Sequence, residues 1–113
     1  MTTYLISFPA AAMVIPEGEL DTVVEESHAV IREMKEAGVY VFGGGLDTGV
    51  PVVRVTADGI VTPGAYSQTA EFDGGLTVIR VGSRAEAERW AAKVAASCRC
   101  AQELREFGDD PES

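Results

Sequence analysis

Three glycine-centred breaks, Gly43-Gly44-Gly45-Leu46, Pro63-Gly64-Ala65-Tyr66 and Asp73-Gly74-Gly75-Leu76, cut the middle of this chain into apolar runs of strand length. Glycine loses more backbone entropy on folding than any other residue, so it is kept where a side chain does not fit or φ must be positive. Val39-Tyr40-Val41-Phe42 runs as a strand into the first break, which reads as a turn. Val52-Val53-Arg54-Val55-Thr56 is a second strand, Asp58-Gly59 is a hairpin signal, and Ile60-Val61-Thr62 returns. Residues 75–81 (Gly-Leu-Thr-Val-Ile-Arg-Val) form the next strand.

The flanks complete the order. Tyr4-Leu5-Ile6-Ser7-Phe8 is a short aromatic-rich run ended by Pro9, as at the end of an N-terminal strand. Leu20, Val23, Val24, Ser27, Ile31 and Met34 share one helical stripe within residues 16–37, with Glu25, Glu26, Arg32, Glu33 and Glu36 on the wet side. Pro16 suits the first turn, Glu17 and Glu19 the positive end of the helix dipole, and Gly38 the C-terminal cap. Ser83-Arg84-Ala85-Glu86 is a capping box that opens a second helix, with Ala87, Trp90, Ala91 and Val94 on its apolar stripe. Residues 98–107 read as a last strand anchored by Leu104 and Phe107. Strand, helix, strand, hairpin, strand, helix, strand is the α+β, ferredoxin-like plan: an antiparallel sheet with both helices on one face.

Residues 1–108 make a single domain, and the Asp109-Asp110-Pro111-Glu112-Ser113 end reads as an acidic, disordered tail. A chain of this length buries roughly 65% of its unfolded surface and needs no staples. The net charge of −9 argues against nucleic acid and against an anionic membrane surface. No apolar run nears the roughly 20 residues that span a bilayer, and residues 10–15 follow no basic segment of a signal peptide, so the expected location is cytoplasmic. Cys98 and Cys100 stand two apart, too close for comfortable disulfide geometry on an extended strand, and His28 alone cannot complete a metal set with them. Both read as small buried or half-buried hydrophobes, with no metal site and no cofactor.

Two helices cover only one face of such a sheet. The other face should turn polar if it meets water. Here Val52, Val53 and Val55, then Leu76, Val78, Ile79 and Val81, then Tyr40, Val41 and Phe42 put apolar groups on both faces. A second apolar face needs a second cover, and closed two-fold dimers dominate homo-oligomers. The expectation is a homodimer through facing sheets, a dimeric α+β barrel.

These residues resemble the YCII-related family, in its DGPF-type branch. The matching stretch is Ala37-Gly38, Gly44-Gly45-Leu46, Val61-Thr62-Pro63-Gly64-Ala65-Tyr66, Thr69, Glu71, Gly74-Gly75 and residues 87–92 around Trp90. The DGPF tetrapeptide is rewritten as Pro63-Gly64-Ala65-Tyr66, keeping Gly64 and an aromatic at Tyr66. The resemblance implies a dimeric ferredoxin-like α+β barrel and, for a few members, small-molecule lyase or dehydrochlorinase activity. It also implies a catalytic histidine paired with an aspartate. His28 falls where that histidine would be, while the segment that carries the aspartate is replaced by Val94-Ala95-Ala96-Ser97.

From the residues themselves, His28 is the single imidazole and lies at the edge of the first helix's apolar stripe. Histidine is the side-chain type suited to proton exchange near neutral pH. Asp47 is the candidate that orients it, with Glu71 or Asp73 behind, and a solvated edge histidine is the alternative. Arg54 and Arg80 sit inside apolar strands, where they either clamp a ligand carboxylate or pair with carboxylates of the chain. Tyr66, within Tyr66-Ser67-Gln68-Thr69, either rims a small-ligand cleft or belongs to a plain connection. The Gly43–Gly45 run is no phosphate loop, since neither a Lys-Ser/Thr pair nor a helix follows it. Three functions stay open: a small-molecule-binding dimer with a cleft at the barrel edge, a cofactor-free enzyme using His28 as general acid or base, and a structural or interaction module.

Overall fold

A computed structural model describes residues 1–113. Strand β1 (Thr2–Ser7) lies at the centre of a four-stranded antiparallel sheet and pairs with β5 (Gly75–Val81) on one side and β6 (Glu103–Glu106) on the other. Strand β2 (Tyr40–Gly45) closes the far edge against β5, so the order is β2-β5-β1-β6. Helices α1 (Leu20–Glu36) and α2 (Arg84–Cys98) connect these strands. This is the expected ferredoxin-like arrangement. Strands β3 (Val53–Val55) and β4 (Val61–Pro63) form a separate hairpin that pairs with no other strand.

The core lies between the sheet and the helices. Tyr4 and Ile6 from β1 and Ile79 and Val81 from β5 meet Met34 of α1 and Ala87, Ala91, Val94 and Cys98 of α2. The two alanines let α2 approach the sheet closely, and Trp90 and Phe8 pack around the margin. Ser83 caps α2 as its capping box predicts, its hydroxyl accepting from the Glu86 backbone N–H at 3.2 Å.

Three local expectations are corrected. The Gly43–Gly45 run is not a turn but the end of β2. Gly43 pairs with Thr77, Gly45 pairs with Gly75, and the Leu46 N–H donates to the Gly74 carbonyl, so ladder bonds keep it extended. Helix α1 starts at Leu20 rather than Pro16, because Gly18 takes φ +82° and residues 16–19 close a turn first. Cys98 is not the start of a strand: α2 runs through it and stops where Arg99 enters the left-handed region at φ 61°.

The register of β2 decides which of its side chains meet the helices. Tyr40 pairs with Ile79 and faces the core, but a bulge at Val41 sets Phe42 opposite Val78 instead of Thr77. One extra residue in a strand turns every later side chain to the other face. Phe42 therefore joins Leu5, Leu76 and Val78 on the open face and is 64% exposed. Gly43 and Gly45 take the positions under α1.

Candidate functional site

A cavity of about 490 Å³ lies between α1, the C-terminal end of α2 and the β2–β5 end of the sheet. Its floor is glycine backbone. The inward positions of the sheet here are Gly45 and, opposite it, Gly75, so backbone stands where side chains would fill the layer. A Cβ built on Gly45 meets nothing within 4 Å. A Cβ on Gly75 would touch the Phe8 ring, which takes up part of that space and walls the cavity.

Gly74 is required for a different reason. A Cβ there would overlap the carbonyl oxygen of Phe8 and press on the Ala10 backbone nitrogen. The end of β1 and the start of β5 are pinned together at this point. Phe8 N–H donates to the Gly75 carbonyl at 3.2 Å, and Ala10 N–H donates to Asp73 Oδ1 at 2.9 Å. Asp73 thus fixes the loop after β1 and also lines the cavity.

The helices supply the polar groups. Ser27 and His28 of α1 and Ser97 and Cys98 of α2 line the cavity. His28 is exposed, as at a mouth, whereas Ser97 and Cys98 are buried. Both cysteines are free thiols. Burial pushes the Cys98 thiol above its ordinary value, and burial together with Cys98 does the same for Cys100, so neither is poised as a thiolate. Just outside, Arg99 Nη1 donates to Glu26 Oε2 at 2.5 Å and to the Ala96 carbonyl at 2.8 Å, joining α2 to α1. That bond holds the Glu26 carboxyl below its ordinary pKa and raises that of Arg99.

Of the residues singled out in the sequence, His28 and Asp73 line this cavity. Asp47 does not. It lines a second space of about 660 Å³ with Val50, Val52 and Phe72, and its Oδ1 accepts from the Gly49 N–H at 2.9 Å. Arg54 and Tyr66 stand together on the hairpin, the guanidinium 5.8 Å from the ring centroid and its Nε donating to the Gly64 carbonyl at 3.2 Å. Arg80 is exposed on the open face of the sheet with Leu76 and Val78. Neither arginine lines the cavity. Gln102 and Cys98, which do, carry no site signal in the sequence. Gln102 lies in a loop with no motif, and the sequence around Cys98 reads as a strand. No group of three His, Cys, Asp or Glu side chains is placed to hold a metal ion, and no helix is long and apolar enough to cross a membrane.

No protein-family model matches the chain, and no curated protein matches it. Among solved structures the chain is similar to 5-chloro-2-hydroxyhydroquinone dehydrochlorinase from Burkholderia phenoliruptrix AC1100, in complex with 2,5-dihydroxybenzoquinone. Identity is 11%, the alignment covers 97% of each chain, and the TM-score is 0.49. The site is therefore argued from its own residues.

Proposed function

We propose that the protein is a homodimer that binds a small molecule in the cavity under α1. The observation that carries the binding half is the cavity itself: an apolar-walled space of about 490 Å³, floored by glycine backbone, with His28, Ser27 and Asp73 in its lining. Ligand sites typically have this character, a concave apolar wall with a few polar groups that fix orientation.

The dimer half rests on two uncovered apolar surfaces. The open face of the sheet carries Leu5, Phe42, Leu76 and Val78. The hairpin carries Val53, Val55, Val61 and Pro63 on one side, with Val55 64% exposed. An isolated two-stranded hairpin is marginal in water. The radius of gyration is 15.7 Å and the extents are 44 × 43 × 20 Å, against about 13 Å for a compact chain of this size. A flat molecule with a projecting arm and a bare sheet fits a second copy of itself by two-fold symmetry.

Acid–base catalysis without a cofactor is the second reading, favoured by the presence of the one imidazole of the chain in the cavity lining. A fragment screen read by NMR tests the binding proposal. Bound fragments should shift the Met34 methyl and His28 ring signals, and a screen with no fragment acting there sinks it. His28→Ala then separates the two readings: under binding alone the affinity changes, and under catalysis turnover of the bound molecule disappears.

A further inference from the structure

Resting on that cavity being a ligand site, we infer that its ligand is an uncharged, mostly apolar molecule that offers a hydroxyl or N–H donor to Gln102. Gln102 lines the cavity beside Cys98. Its Nε2 donates to the Cys100 carbonyl at 3.2 Å and also approaches Cys100 Sγ at 3.6 Å. Those contacts set the amide's orientation and leave Oε1 as the group without an answer. Oε1 is the single buried side-chain oxygen or nitrogen in the protein with no hydrogen-bond partner. Buried acceptors are nearly always satisfied, and leaving one unmade is costly, so a donor arriving with a ligand gains more here than at a solvated acceptor.

Charge narrows the class further. No Lys or Arg lines the cavity, and Asp73 does. The chain as a whole carries −9. An entering carboxylate or phosphate would exchange water for Phe8, Met13, Ile31 and Met34 with no fixed cation to receive it. An ammonium group would meet one carboxylate that already accepts from Ala10. A neutral donor on an apolar body is the chemistry that satisfies Gln102 without burying a charge.

Four matched probes test this at neutral pH: cyclohexylmethanol, methylcyclohexane, cyclohexanecarboxylate and cyclohexylmethylammonium, titrated against the full chain and read on the Met34 methyl signals. The alcohol should bind about fivefold tighter than the hydrocarbon and at least about tenfold tighter than either ion. Gln102→Leu should bring the alcohol down to the affinity of the hydrocarbon while the hydrocarbon stays as it was. Gln102→Met is the second variant should the first not fold. The inference is overturned if either ion binds tightest or if the alcohol binds both variants as well as the parent. If none of the four reaches the Met34 methyls, the cavity is not a ligand site and the proposal it rests on falls instead.

Discussion

Arg99 and Glu26 tie the two helices together beside the cavity, Nη1 to Oε2 at 2.5 Å, across 73 residues of sequence. Glu26 precedes Ser27 and His28, and Arg99 follows Ser97 and Cys98, so the latch flanks the four polar residues that the helices give to the cavity. Arg99 holds φ 61°, the one non-glycine residue with positive φ.

Two opposing terms meet at that position, and substitution separates them. Arg99→Ala loses the ion pair and keeps the backbone strain, while Arg99→Gly loses the pair and relieves the strain. Thermal unfolding should rank parent above Gly above Ala in midpoint, or Gly level with the parent. Alanine above glycine would refute the role assigned to φ.

The same pair predicts an acid dependence. Arg99 lowers the Glu26 pKa, so the unfolded chain binds this proton more readily than the folded one. The stability it contributes is complete above the ordinary carboxylate range and is lost as pH falls through the depressed folded value. Urea midpoints measured down from about pH 5 should fall less in Arg99→Gly than in the parent, with the difference shrinking in high salt because both groups face solvent.

Gly74 and Gly44 should respond in opposite ways to alanine. Gly74→Ala drives a methyl into the Phe8 carbonyl and should cost about 2–4 kcal/mol, since backbone must move. Gly44→Ala meets nothing within 4 Å and should stay within about 0.5 kcal/mol. Urea unfolding of the two variants measures both.

Gly45→Val should empty the cavity of any function while sparing the fold. Its Cβ has open space, its φ is not positive, and valine suits a strand. The variant should match the parent in circular dichroism and lose the Met34 shifts caused by bound fragments.

The dimer is tested on the hairpin. Val53→Lys with Val61→Lys charges the apolar side without touching cavity or core. Sedimentation should show a two-fold species for the parent at micromolar concentration and a protomer for the variant. A monomeric parent removes the dimer proposal.

The architecture was legible because periodicity and glycine placement reflect local backbone physics. The α1 stripe, the Ser83 capping box and the Asp58-Gly59 hairpin each depend on a few neighbouring residues. Of the candidate site, His28 stood out in the sequence, a unique chemical type at the edge of a stripe that the structure puts in the cavity lining. The rest was hidden in Gln102 and Gly45, whose roles depend on pairing partners far along the chain. The β2 register could not be read because nothing in Tyr40-Val41-Phe42 marks a bulge, and without it Phe42 rather than Gly43 would lie opposite Thr77 on the helix side. The αL stop at Arg99 was missed for a related reason: helices usually end this way on Gly or Asn.

That bulge links two properties that otherwise look separate. A single residue of phase places Phe42 on the open face of the sheet and, by the same rotation, sets Gly43 instead of an aromatic ring opposite Thr77 on the face toward α1. Pairing the same residues to β5 without the bulge would reverse both at once, setting Phe42 opposite Thr77 on the helix side and Gly43 opposite Leu76 on the open face. The aromatic character of the open face and the space beneath α1 thus both depend on one backbone irregularity, and a variant whose β2 pairs with Phe42 opposite Thr77 should lose the two together.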